Sequence, residues 1–141
     1  MIELSRYLFL AGALPFLFLG TVHARETPLR PSDRKGLTPS DPALIESMKT
    51  SALLLTRRTD MWLAWVGFNL SHSVGAIAFG LFVVAIGRST ESFASQAAFC
   101  VPLATLVAAA YVGIGLKYWF RSPNAGLAIA LACFVGSWAT L

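Results

Sequence analysis

MWLAWVGFNLSHSVGAIAFGLFVVAIG, residues 61–87, contains no Asp, Glu, Lys or Arg. As a helix rising about 1.5 Å per residue it is long enough to cross a hydrocarbon layer of roughly 30 Å. A helix satisfies all its backbone hydrogen bonds within one segment, so such a run reads as a membrane span. Three further windows share the property: 7–24, 92–116 and 122–141. The chain is 56% hydrophobic and 13% charged, about half the charge of an average soluble domain. Four all-round apolar helices have almost no charged face to show to water, which excludes a soluble helical core. The expected fold is therefore all-α: a polytopic membrane protein, an antiparallel four-transmembrane-helix bundle forming a single membrane domain over 1–141. Its spans are expected at about 5–24, 61–87, 93–119 and 123–141.

The charges are segregated between the spans. Of eleven Lys and Arg, Arg25, Arg30, Arg34, Lys35, Lys49, Arg57 and Arg58 fall in the first connection and Lys117 and Arg121 near the third. Basic connections stay cytoplasmic, so connector 25–60 is expected on the cytoplasmic side of the inner membrane, with both termini outside. The net charge of +4 is read as this topology signal together with contact to anionic membrane lipid, and not as a nucleic-acid surface. Residues 1–24 have a second reading, because Arg6 precedes a short apolar run ending in Val22-His23-Ala24, which resembles a signal-peptide cleavage site. Cleavage would leave seven basic residues on a translocated segment, against the positive-inside pattern, and Glu3 offsets Arg6, so a retained helix is favoured.

The connector opens with RETPLRPSDRKGLTPSDP, residues 25–42, whose Pro28 and Pro31 forbid continuation of the first helix. Ser40-Asp41-Pro42 is a helix start, with Asp41 as cap and Pro42 at the first helical position. A short amphipathic helix is expected over about 42–57, its apolar side made of Leu44, Ile45, Met48, Ala52 and Leu55. It is too short and too charged to span, and it belongs at the interface with that side against lipid or against the bundle. Ser122-Pro123 is read as a second cap-plus-proline start, and Pro102 as a kink tolerated within the third span.

At 100° per residue, Trp62, Trp65, Asn69, His72, Ser73, Ala76 and Gly80 share one stripe of the second span, while Leu70, Val74, Ile77 and Leu81 form a distinct aliphatic side suited to lipid. Ionisable groups at membrane depth turn inward to a partner or a cavity. Measured from the cytoplasmic ends, Tyr111 and Cys133 reach the level of His72, so Asn69, His72, Ser73 and Tyr111, with Trp65, form the expected ligand-binding patch. His23 is expected near the cytoplasmic surface, roughly 10 Å or more from His72 along the membrane normal, as a rim group. That separation and the lack of intramembrane carboxylates argue against a shared metal, and no cofactor is expected. Cys100 and Cys133 lie at different depths, too far apart for a disulfide. Gly67, Ser71 and Gly75 recur every four residues and are read as helix-packing positions.

The run Asp41–Gly80, above all GFN-x-SHS-x-G in residues 67–75, resembles a group of small bacterial inner-membrane proteins with four predicted helices. The resemblance covers about the middle third of the chain and implies the fold; no established activity comes with it. The expected role is non-enzymatic: an inward polar patch that binds a small, apolar or lipid-like ligand, or orders an assembly such as a homo-oligomer. The alternative is a membrane enzyme on an apolar substrate, with His72 as general acid or base and Asn69 and Tyr111 orienting the substrate.

Overall fold

The computed structural model describes residues 1–141 and contains five helices: α1 (Ile2–Glu26), α2 (Pro42–Thr50), α3 (Met61–Gly87), α4 (Thr90–Tyr118) and α5 (Arg121–Ala139). Four of them, α1, α3, α4 and α5, are long and apolar enough to cross a membrane, which makes the chain a multi-pass membrane protein. Its outward surface agrees: Phe18, Phe82, Phe99 and Leu106 are each about two-thirds exposed. That much bare apolar surface suits lipid and not water.

The chain groups into two compact units, Met1–Leu19 with Ala76–Leu141, and Gly20–Gly75. In the first unit four helices share a core of phenylalanine and small residues, among them Phe9, Phe16, Val83, Phe93, Ala104, Ala108 and Phe134. The Phe134 ring lies 5.7 Å from Phe9, 6.1 Å from Phe79 and 6.5 Å from Phe16, centroid to centroid. Residue pairing gives the directions. Leu17 lies over Gly80 and Leu10 over Gly87, so α1 and α3 are antiparallel, as are α1 and α5 through Gly12–Phe134 and Leu19–Gly126. Phe9 meets Phe93 and Phe16 meets Tyr111, so α1 and α4 run parallel, as an up-down-up-down order requires.

Polar groups tie the helix ends of this unit. The fully buried Ser5 hydroxyl donates to the Ser137 carbonyl at 2.7 Å, joining α1 to α5. Arg6 pairs with Glu3 and donates from Nη1 to the Gly87 carbonyl, satisfying one of the orphan carbonyls at the end of α3. Glu3 in turn accepts from the Thr90 hydroxyl in the first turn of α4. Asn124 reaches across to α4 and sits directly on Gly115, a close approach that a side chain there would obstruct.

In the second unit the connector folds back on the end of α1. The Glu26 carboxylate accepts from the Gly36 amide at 2.9 Å, the Glu26 carbonyl from the Leu37 amide, and Lys35 Nζ donates to the Thr27 carbonyl. Asp33 accepts from the amides of Arg30 and Leu29, and the Arg30 bond above all holds its carboxyl below the usual carboxylate value. Asp41 caps α2 through the Ala43 amide, with Pro42 at the first helical position. Ile45 and Met48 of α2 pack on Trp62 and Val66 of α3, so the apolar side of α2 is turned to protein.

Two expected boundaries need correction. The amphipathic helix ends at Thr50 and not near 57: Ser51 is extended, and Ala52 pairs with Asp60 in an antiparallel bridge. The Thr50 hydroxyl bonds back to the Glu46 and Ser47 carbonyls, the competition with backbone that makes Ser and Thr poor at propagating a helix. Helix α5 starts at Arg121, with Phe120 at the cap position and no side-chain cap bond, so Ser122 is not its cap. Pro123 then falls third in the helix, where its missing N–H removes no intrahelical bond. The packing role read for Gly67, Ser71 and Gly75 is also not found: Ser71 is exposed, and a methyl group added at either glycine would meet nothing within 4 Å. Regular spacing of small residues says nothing about which side of the helix has a neighbour.

Candidate functional site

The second unit gathers polar side chains where α1 ends beside the middle of α3. Asn69 is 6% exposed, and its Nδ2 donates to the Trp65 carbonyl one turn earlier at 2.7 Å. A carbonyl can only accept, so this bond turns Oδ1 of Asn69 away from its own helix and toward His23, whose Nε2 lies 2.9 Å away. An amide oxygen likewise only accepts. His23 therefore carries its proton on Nε2 and, when neutral, its lone pair on Nδ1. Thr27 strengthens this corner by giving both its amide and its hydroxyl to the His23 carbonyl, at 3.0 and 2.8 Å.

His72, one turn along α3, faces the same imidazole. The His23 and His72 rings are 5.0 Å apart at 64°, edge to face. On its other side His72 stacks with Phe68, at 6.4 Å and 15°. Both histidines are half-buried. The expected separation of His23 from His72 is thus overturned. It assumed that α1 and α3 reach the cytoplasmic surface at one level, whereas Asn69, the partner of His23, is already eight positions into α3. Because α1 continues three residues past His23 to Glu26, roughly the first turn and a half of α3 extends beyond the end of α1. That extension carries Trp62 and Val66, and α2 covers them.

The other expected site residues divide. Trp65 belongs to the cluster through its carbonyl and half-buried ring, which lies 5.7 Å from that of Trp62. Ser73 is fully buried, with its hydroxyl bonded to the Asn69 carbonyl of its own helix at 3.0 Å; it shapes α3 and presents no group to a ligand. Tyr111 belongs to the first unit, where its ring packs edge-on against Phe16 at 5.3 Å. Cys100 and Cys133 are both half-buried free thiols. Thr27 and Phe68 stand outside the expected site: Thr27 falls in the connector, and Phe68 lies just outside the polar stripe, next to His72 on the wheel.

Chemically, the cluster offers two imidazoles, one held in a defined tautomer, beside a fixed amide. No third His, Cys, Asp or Glu joins them to make a group able to hold a metal ion. The four long apolar helices make this a multi-pass membrane protein, and its second unit holds a cluster of polar side chains where α1 ends beside α3. No protein-family model, curated protein or solved structure matches the chain.

Proposed function

We propose that the protein is a non-enzymatic, multi-pass protein of the bacterial inner membrane whose His23–Asn69–His72 cluster holds the polar group of a small or lipid-like ligand. The observation that carries this reading is the orientation chain from the Trp65 carbonyl through Asn69 to Nε2 of His23, beside the half-buried ring of His72. Side chains fixed in advance lose little freedom on binding, which favours recognition. The cluster also supports a second reading, because an oriented imidazole against a second imidazole can exchange a proton with a substrate: a membrane enzyme on an apolar substrate with His72 as general acid or base.

The test replaces His72 with Gln and with Leu in the full chain, then compares thermal stability in detergent and the lipids that co-purify. The expected result is a His72→Gln protein that melts close to wild type and has lost a bound lipid species. Early unfolding of both variants, with wild type carrying no lipid, overturns the ligand reading and leaves the histidines a structural role. Turnover of a bound lipid by wild type, abolished in His72→Gln, moves the protein to the enzymatic reading.

The sidedness belongs to the same proposal: connector 25–60 cytoplasmic, both termini outside. Its support is the concentration of seven of the eleven Lys and Arg between Arg25 and Arg58. Reporter fusions at Gly36 and Leu141 are expected on opposite faces, and a cytoplasmic Leu141 reverses the orientation. A mature N-terminus at Arg25 would remove His23 and with it the proposed site.

A further inference from the structure

The segment between α2 and α3 presents apolar side chains in an unusual place. A neck closes it: Ala52 bridges Asp60, and the Met61 amide donates to the Ser51 carbonyl at 2.9 Å. Inside the neck the Thr56 amide donates to the Leu53 carbonyl, a β-turn with Leu54 and Leu55 at its two central positions. Turn tips in water carry Gly, Asn, Asp, Pro or Ser. Here Leu54 and Leu55 are 110% and 92% exposed, more than any other large hydrophobic residue in the chain.

Two arginines follow. Arg57 and Arg58 are exposed, and neither has an acidic partner. The acids of Gly20–Gly75 are already engaged: Glu26 with the Gly36 amide, Asp33 with Leu29 and Arg30, Asp41 with Ala43, Glu46 with Lys49, and Asp60 with the Leu63 amide. Connectivity also keeps the turn close to the start of a candidate span. Asp60 closes its neck and α3 begins at the next residue, so the tip is at most roughly 20 Å of chain from the start of a span, and less because the neck doubles back.

Leucines at a tip, guanidinium groups beside them and a bilayer within reach match the order of a leaflet: acyl chains below, phosphates above. We propose that the Ser51–Asp60 turn is a membrane anchor, in which Leu54 and Leu55 enter the headgroup–acyl boundary and Arg57 and Arg58 bind the phosphates of anionic phospholipids. Arginine suits this because its planar fork meets phosphate oxygens two at a time. The anchor holds the α2 end of the connector on the bilayer, and it stands whether or not the histidine cluster binds a ligand.

The experiment places an environment-sensitive fluorophore at Leu54→Cys in the full chain, with Cys100→Ala and Cys133→Ala, and a reference label at exposed Ser32→Cys. Both proteins are reconstituted in nanodiscs of phosphatidylcholine, with and without phosphatidylglycerol. With phosphatidylglycerol the Leu54 label is expected to emit at shorter wavelength and to be quenched by nitroxides on the acyl chains, while the Ser32 label responds to aqueous iodide. Arg57→Gln with Arg58→Gln is expected to lower the inserted-to-free ratio about thirtyfold, as each basic residue near an anionic surface contributes about a fivefold factor. Helix content should stay unchanged, because the turn is exposed and outside every helix.

A Leu54 label as open to iodide as Ser32 overturns the proposal. So does insertion indifferent both to the arginines and to phosphatidylglycerol. A label shielded from both quenchers places a second protein surface on the turn and overturns it too.

Discussion

Replacing Gly12 with alanine is expected to lower stability by about 1–3 kcal/mol, the usual range for forcing extra atoms into a filled core. A Cβ at Gly12 would stand 2.5, 2.7 and 2.8 Å from three atoms of the Phe134 ring. That ring is fully buried, and Phe9, Phe16 and Phe79 surround it, so it has no open side to move into. The same substitution at Gly67 or Gly75 meets nothing within 4 Å. There the better helix propensity of alanine is expected to leave stability unchanged or raise it by up to about 1 kcal/mol. The comparison is made by thermal unfolding in detergent followed by helix circular dichroism. Equal midpoints for Gly12→Ala and Gly75→Ala would show that α1 and α5 are not in the close contact described. Phe134→Leu in the Gly12→Ala background should recover part of the loss, because the shorter side chain vacates the disputed space.

The contrast between these glycines marks how far the sequence could be read. Gly67 and Gly75 have the regular four-residue spacing of a packing motif and no neighbour; Gly12, which with Gly20 flanks Phe16 at a looser spacing, is the position where an added Cβ would collide with Phe134 of α5. Spacing along one helix constrains that helix alone, while contact depends on where another happens to lie. The spans themselves were legible because absence of charge over twenty residues is a property of single segments, decided by the cost of desolvation. The buried stripe of α3 was legible for a related reason. Of its seven residues Trp62, Asn69, Ser73, Ala76 and Gly80 are buried and Trp65 and His72 half-buried; on the aliphatic side Val74 and Leu81 are exposed, while Ile77 and Leu70 are half-buried, Leu70 against the Trp62 cluster.

What failed was the level of one helix against another. Counting from helix ends separates His23 from His72, and nothing local in the sequence records that α3 begins about a turn and a half beyond the end of α1. The Ser51–Asp60 turn was missed for a different reason. Leu55 continues the apolar spacing of Ile45 and Met48, so period alone extends α2, whereas Thr50 and Ser51 bond back to the helix and end it. Ser5 and Ser137 were invisible as a pair: two serines near helix ends are unremarkable until antiparallel packing brings 132 residues of separation down to 2.7 Å.

Asn69→Leu is the second large expectation, and it tests the site. Leucine has the same branched arrangement of four side-chain heavy atoms and suits a helix, so the change removes the hydrogen bonds while keeping the outline of the side chain. The Trp65 carbonyl keeps its place in the backbone ladder of α3. The group left stranded is the Nε2–H of His23, which loses its acceptor at 2.9 Å. An unsatisfied donor commonly costs about 1–3 kcal/mol, and measured cycles between membrane helices average about 0.6 and reach about 1.7. Because His23 is only half-buried, a loss of about 1 kcal/mol is expected. His23→Leu alone should cost a similar amount, by stranding Asn69 Oδ1 at the same contact. The double variant should cost clearly less than the sum of the two, since neither partner is then left unsatisfied. A coupling indistinguishable from zero would deny the contact on which the proposed site is built. His23→Gln supplies the finer test, because its amide can donate to Asn69 while lacking an imidazole. If it holds wild-type stability and loses the co-purifying lipid, the ring at position 23 serves the ligand as well as the fold; if stability and lipid are both kept, His72 carries recognition and His23 only braces α1 against α3.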